Sequence, residues 1–332
     1  MYKNVKYAAL IGMMVLAQYA PAQQKGAVAV FWNVENYFDP FSDTPNKDPA
    51  FTPQGANHWT WPRFIAKRDG IAKTIIAMGT DELPVWVGLC ETGSRFVLTQ
   101  LVSQTPLEPF DYRIVHRNSP DERGVNVALL YRSDRFRLLL SRFLKVTQPD
   151  NRPTREILYA KGVLDGLDTL HLFVNHWPSK WGGAKASLSR RMAAATRLLV
   201  SVDSIFALHP NANIIIMGDF NDTPLSKAVE SVSRGTDLHN LTVPLARQKQ
   251  GTLRYRGRWE LIDQFMVSNN LLCTDEAIFT STAHCRIFTA PFLLISDNKF
   301  LGYKPFRTYL GPRYQGGISD HLPVVLTIER NY

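Results

Sequence analysis

Three short stretches of this chain put chemistry-bearing side chains where apolar strands give out. Ser319-Asp320-His321-Leu322-Pro323 stands near the C-terminus, Ile216-Met217-Gly218-Asp219-Phe220-Asn221-Asp222 precedes it, and Leu172-Phe173-Val174-Asn175-His176-Trp177-Pro178 comes earlier still. Each begins as, or adjoins, a run that reads as a buried strand and ends in carboxylate, amide or imidazole groups, where water and a metal ion can reach them. An imidazole that titrates near neutrality can take a proton from water. A few carboxylates can hold a hard divalent cation and leave coordination positions for a phosphoryl oxygen. Asp219 and Asn221 straddle Phe220, so the two-residue period of a strand sends both to one side and the ring to the other. Asp222, just before Thr223-Pro224, suits a turn. Asp320 and His321 would point to opposite sides of a regular strand, and the preceding Gly316-Gly317 allows the bend that would bring them together.

These groups need strands to hold them, and the pattern supplies several. Ala27–Trp32 is a short apolar run that ends in Asn33-Val34-Glu35-Asn36, and Val85–Leu89 is another that ends at Glu91. Further strand-like runs are Tyr112–His116, Val125–Tyr131, Arg137–Val146, Glu156–Val163, Thr169–Val174, Asn213–Met217, Leu261–Val267 and Leu322–Ile328. Helical periodicity is confined to 61–78, with Phe64, Ile65, Ile71, Ile75 and Ile76 on one side and Lys67 among the charged residues elsewhere, and to 185–208. Residues 40–60, rich in Pro, Asp, Asn and Thr, read as a surface loop. Most stretches between strands are too short for βαβ crossovers, which argues against a doubly wound parallel sheet. The expectation is an α/β (α+β) fold in which two mixed, mostly antiparallel sheets form a four-layer sandwich flanked by helices.

The 332 residues are 45% hydrophobic and 20% charged, without repeats or low complexity, which is the composition of a globular protein. Lys3 and Lys6 precede an apolar run, Tyr7–Ala17, and then Ala20-Pro21-Ala22, so residues 1–22 read as a signal peptide and 23–332 as one catalytic domain. The run is shorter than a membrane span. Export would place the chain in the periplasm or outside the cell, with no transmembrane span in the mature form, which is expected to be a monomer. Removal of the two lysines leaves 36 basic against 29 acidic residues, a surplus that favours anionic partners. Export would also permit a disulfide between Cys273 and Cys285, while Cys90 reads as a small core hydrophobe.

In order along the chain, Asn33-x-Glu35, Gly88-Leu-Cys-Glu91, Asn175-His176-Trp-Pro-Ser179, Gly218-Asp-Phe-Asn-Asp222, Ile262-Asp263 and Ser319-Asp-His-Leu-Pro323 resemble the endonuclease/exonuclease/phosphatase superfamily over roughly residues 27–330. The resemblance implies metal-dependent phosphoester hydrolysis. It makes His321 the general base, oriented by Asp263, and gives His176 a hydrogen bond to the scissile phosphate or leaving oxygen. It also has Asp219 position the water and Asn221 donate to a phosphoryl oxygen. Glu91 leads the metal ligands, with Asp320 second and Glu35 in a position some members use, and Asn33 would orient Glu35 or a metal-bound water. The implied ion is Mg²⁺, with Mn²⁺ or Ca²⁺ as alternatives. Arg155, Arg123 and Arg307 are the candidate phosphate contacts; Arg155 resembles a deoxyribonuclease arginine, and a surface role fits it nearly as well. The histidine at 176 sides with the deoxyribonuclease and sphingomyelinase branches.

The segment Lys299–Tyr314 interleaves cations with aromatics, as a nucleic-acid contact or a membrane-touching loop would, or as an ordinary packed loop does. Arg254, Arg256 and Arg258 form a second basic stretch. The leading expectation is a secreted nuclease acting on nucleic acid. The alternatives are a phosphomonoesterase, a sphingomyelinase-type phospholipase, or a binding module that keeps the fold without the reaction.

Overall fold

The computed structural model describes residues 26–41, 48–79, 82–180 and 182–331. The segment read as a signal peptide lies outside them. All ten strands expected from the sequence fall where the apolar runs are, with ends shifted by a few residues. The first sheet is built on β1 (Ala27–Tyr37), β2 (Trp86–Thr92), β3 (Tyr112–His116) and β4 (Asn126–Arg132), and on the C-terminal strand Val324–Arg330. The C-terminal strand pairs with β1, which continues through β2 and β4 to β3, and two short strands join the far side of the C-terminal strand. The second sheet runs β5 (Phe136–Leu144), β6 (Ile157–Leu164), β7 (Asp168–His176), β8 (Asn213–Asp219), then the strand Asp263–Ser268 and β9 (Leu238–Asn240).

Among the described residues only β1 with β2 and β7 with β8 pair in parallel, and each pair is joined by a long helix: α1 (Trp61–Met78) in the first sheet, α3 (Ala184–Leu208) in the second. A parallel pair needs such a crossover, whereas antiparallel neighbours such as β3 with β4, β5 with β6 and β6 with β7 connect directly. The remaining helices include α2 (Arg95–Ser103) beside α1 and α4 (Lys227–Ser233) beside α3. Both lie outside the two helical segments expected from the sequence, because nine and seven residues carry too little periodicity to stand out.

Alternation along the strands explains the layers. In β1, Ala29 and Phe31 face the second sheet while Val30 and Trp32 face α1 and α2; in β8, Ile215 and Met217 face inward while Ile214 and Ile216 pack under α3 and α4. Three apolar layers result, so both faces of each central strand are buried and the strands read as continuous hydrophobic runs. The sheets nearly touch at Gly88, where a Cβ would lie 2.5 Å from the Met217 sulfur.

Two expectations change. Residues 48–59 are not simply a surface loop, because Phe51, Asn57 and Trp59 are buried and Phe51 and Trp59 pack against Tyr309. All three cysteines are free: Cys90 and Cys285 are sealed in the core between the sheets and Cys273 is exposed, so the proposed Cys273–Cys285 bridge is absent. No helix among the described residues is long and apolar enough to cross a membrane.

Candidate active site

Strand direction gathers the site at one end of the sandwich. Parallel partners finish together, so β1 and β2 deliver Asn33, Glu35 and Glu91, and β7 and β8 deliver His176 and Asp219. Their antiparallel neighbours begin at the same end, bringing Asp263 and the Ser319–His321 turn. In the second sheet His176, Asp219 and Asp263 are direct cross-strand partners, one row over three strands. Four of the residues that leave these strand ends, Glu35, Asn36, Glu91 and Asn221, adopt positive φ angles between 46° and 58°. A non-glycine residue in that region costs on the order of 1–2 kcal/mol and persists where the surroundings fix it. Here they do: the amides of Glu35, Asn36 and Asn221 donate to Asn33 Oδ1, Glu91 Oε2 and Asp219 Oδ1.

The two histidines have opposite surroundings. His321 Nδ1 lies 2.7 Å from Asp263 Oδ2, which also accepts from the Thr252 hydroxyl, and Ser319 Oγ accepts from the His321 amide while donating to the Asn33 carbonyl. Burial pulls the His321 pKa down, but the charge of Asp263 and its hydrogen bond, then Asp219 and Asp320, outweigh it and hold the ring well above its ordinary value. His176 is also buried, with Nε2 3.8 Å from Asp219 Oδ2 and Nδ1 without a partner. Burial, followed by Arg155, Arg123 and His321, holds it well below the usual range, so it is neutral at pH 7.

Asp219 accepts from Asn33 Nδ2 at 3.0 Å and from the Asn221 amide, and burial, then the charge of Asp263, pushes its pKa up to about 7. Asn221 Nδ2 donates to Trp177 O at 2.9 Å, leaving its second N–H for another acceptor. Asp222 accepts from Arg191 and the Thr223 amide, the structural part expected of it.

The acids on the first-sheet side surround two cations. Arg307 Nη2 donates to Asp320 Oδ2 at 2.9 Å and to Glu35 Oε1 at 3.3 Å. Lys67, fully buried, donates to the Glu35 carbonyl, the Thr308 hydroxyl and the Ile318 carbonyl. A buried ammonium is costly unless its three donors are satisfied, and here they are. Glu35 is pushed up to about 7, first by burial and then by the charge of Asp320.

The fit of a divalent cation follows from this donor set. Glu35, Glu91 and Asp320 offer hard oxygens in a crowd of like charge, with a guanidinium nitrogen already lodged between two of them. Two tighter groups, Asp219 with Asp263 and His321, and Cys90 with His176 and Asp219, have ligand atoms within 4.8 Å of one another. Each of these includes a softer imidazole or thiol ligand and Cys90 is sealed in the core, whereas the first set is carboxylate throughout, the donor a hard ion prefers.

Not every expected residue is free for substrate. Arg155 spends its guanidinium on Asp121 Oδ2 and on the carbonyls of His176 and Trp177, bracing the turn that carries His176. Arg123 is half exposed and weakly paired with Asp121 at 3.7 Å. Thr252, Lys67 and Thr308 also belong to the site, and no motif in the sequence marks them. Lys67 falls three after Phe64 and four before Ile71, on the buried stripe of α1, and that spacing is the signal that it is not a surface lysine.

Beside Asp320 and Arg307 opens a cavity of about 600 Å³ between the hairpins 253–260 and 294–305. Arg254, Arg256, Lys299 and Lys304 line it. The rest of the Lys299–Tyr314 segment is partly structural: Tyr309 is buried and Tyr314 lies under the Arg63 guanidinium.

A four-layer sandwich with this cluster at one end of its strands has the architecture of a phosphoesterase. The chain belongs to the endonuclease/exonuclease/phosphatase family, whose sequence profile matches residues 27–330. No curated protein matches it by sequence. Among solved structures, D. rerio TDP2 complexed with single strand DNA product is 17% identical with a TM-score of 0.55, covering 91% of this chain and 98% of that one. The human nocturnin catalytic domain with bound sulfate is 15% identical, with a TM-score of 0.57 over 92% and 95%. A Bacteroides thetaiotaomicron mannosyl-6-phosphatase is also 15% identical, with a TM-score of 0.58 over 91% and 99%. At these identities the likeness is one of fold.

Proposed function

We propose that this chain is a divalent-metal-dependent phosphodiester hydrolase, with nucleic acid as its leading substrate class. The observation that carries the reading is the row His176–Asp219–Asp263 with His321 bonded to Asp263, facing the Glu35, Glu91 and Asp320 carboxylates. Those three acids would hold the ion, Mg²⁺ first, and a bound ion supplies Lewis-acid stabilisation of charge on a phosphoryl oxygen. His321 takes a proton from the attacking water at Nε2 while Asp263 holds Nδ1 and the resulting charge. An ion held at Asp320 would offset one of the charges that raise its pKa and move the ring toward the neutral form a base needs, while Asp263 stays ionised to orient it. His176, kept neutral, donates a hydrogen bond to a phosphoryl or leaving oxygen, and Asn221 has one N–H left for the same purpose.

The cation-lined cavity beside Asp320 supports a substrate with further negative charge. Arg256 and Lys299 have no ion-pair partner among the described residues, whereas Lys304 and Arg254 face Asp297. A second reading, phosphomonoesterase, is favoured by the concavity of that pocket, which suits a small phosphorylated molecule or a strand end better than a duplex. The fold likeness to a mannosyl-6-phosphatase is compatible with it. Export by way of residues 1–22 belongs to this proposal too, as do a single catalytic domain over 23–332 and a monomeric state.

The deciding experiment gives purified protein, with Mg²⁺, Mn²⁺ or EDTA, a panel of plasmid DNA, RNA, sphingomyelin vesicles, bis-p-nitrophenyl phosphate and p-nitrophenyl phosphate. Metal-dependent cleavage of nucleic acid and the small diester is expected. Turnover of the monoester alone would move the assignment to phosphatase, and of sphingomyelin alone to phospholipase. If nucleic acid is cleaved, Arg256→Ser with Lys299→Ser should raise its KM and flatten the salt dependence while sparing the small diester.

A further inference from the structure

A second cavity, of about 340 Å³, lies on the outer face of the second sheet, between β5, β6, β7 and the C-terminal half of α3. Cross-strand register builds its wall in two rows: Leu140, Lys161 and His171 are neighbours across the three strands, and so are Arg142, Tyr159 and Phe173. Helix α3 closes the other side with Arg197, Val200, Ser201 and Ile205. Five basic residues line it, Arg142, Lys161, His171, Arg197 and His209, and no acidic residue does. None of the five has an ion-pair partner among the described residues; Arg197 has only the Ser201 hydroxyl.

Cations that converge without an acid repel one another, so a fold that holds them this way leaves a site of unmet positive potential. One of the five residues is buried: His171 is 4% exposed, its Nδ1 lies 2.8 Å from the Tyr159 hydroxyl, and its Nε2 has no hydrogen-bond partner among the described residues. Burial, then Lys161 and His209, depress its pKa to about 4, so the ring is neutral and can offer one N–H. The remaining wall is apolar, from Leu140, Leu144 and Phe173 to Ile205, and Val200 and Leu208 at the helix are 53% and 77% exposed. Charge on one part and bare hydrocarbon on the other describe a ligand with the same two parts.

We propose that this cavity binds a small anionic amphiphile, a single carboxylate or phosphate head on a short apolar tail, at a site separate from the catalytic end. The head meets Lys161, Arg142 and Arg197, and the tail lies against Phe173, Leu144 and Ile205. The volume is at the lower end of small-molecule sites, which restricts the tail to a short chain or a single ring system. His171 and His176 stand five residues apart on β7, so the two sites are about 17 Å apart along the strand. The inference does not depend on the reaction proposed above.

Isothermal titration uses decanoate, decyl phosphate, decanol and decyltrimethylammonium, all below micelle formation. Both anions are expected to bind, and the alcohol and the cation at least tenfold more weakly. Binding of only one anion would identify the head group. Lys161→Glu and, separately, Val200→Glu at the exposed mouth should each weaken anion binding tenfold or more with unchanged circular dichroism and melting. His321→Ala should leave it intact, which separates this site from the catalytic one. Equal affinity for decanol and decanoate, no binding of either anion, or unaltered binding in both glutamate variants would overturn the proposal.

Discussion

The His321 corner and the His176 corner lie within one site, both rings are buried, and their electrostatics run in opposite directions. His321 faces three carboxylates and is held protonated; His176 faces Arg155 and Arg123 and is held neutral. Burial lowers the pKa of both rings; at His176 it is the leading cause and its cationic neighbours add to it, whereas at His321 the carboxylates reverse it. Residue type alone therefore says that an imidazole is present, and the partners say whether it will exchange a proton or only donate a hydrogen bond. For a reaction that needs a base on one side of a phosphorus atom and a donor on the other, this is a workable division.

That division can be broken most directly at His321. His321→Ala should lower turnover of a phosphodiester by about 10²–10⁴, the range for lost general acid–base catalysis, with little change in melting temperature. His176→Ala should cost about 10². The sharper comparison uses glutamine: His176→Gln should keep part of the activity because an amide still donates, whereas His321→Gln should be as poor as alanine. Similar rescue at both positions would erase the distinction between the two rings.

The carboxylate side provides the next tests. Glu91→Gln should raise the Mg²⁺ concentration for half-maximal rate by about tenfold, and an unchanged titration would remove Glu91 from the metal site. Glu35 gives a pH signature. Its folded pKa of about 7 stands above the ordinary 4.5, so its stabilising contribution is complete below about 4.5 and is lost as pH rises through about 7. In EDTA, Glu35→Gln cannot ionise and should melt with the wild type at pH 4.5 but above it at pH 8, by on the order of 1–3 kcal/mol. Equal melting at pH 8 would mean that Arg307 and Lys67 fully neutralise the carboxylate. The smallest effect is expected from Thr252→Val, which removes one hydrogen bond to Asp263. A loss of a few-fold in turnover is expected, and none at all would make that contact dispensable.

Much of this site can be read in the sequence, because its residues occupy strand ends and each strand announces itself as an apolar run. The order of the motifs and the two-residue period around Phe220 were enough to bring Asp219 and Asn221 to one side. What could not be read was the partner of each group. Nothing local in Pro153-Thr154-Arg155 says that the guanidinium will turn back onto the carbonyls of His176 and Trp177, since that contact spans more than twenty residues. Lys67 reads with the charged face of α1, because charge outweighs spacing in a periodicity pattern, and the fold buries it. The burial of Phe51 and Trp59 was hidden for the same kind of reason, by the Pro- and Asn-rich residues around them.

The distribution of the three cysteines gives this protein a built-in unfolding clock. Cys273 is open to reagent at once, whereas Cys90 lies in the centre of the first sheet and Cys285 in a short strand at its border, both with pKa values raised by burial. A thiol held protonated and out of contact with water does not react until the chain opens around it. Timed alkylation followed by mass spectrometry would then show one modification immediately, a second as the border strand detaches, and a third only when the sheet itself comes apart.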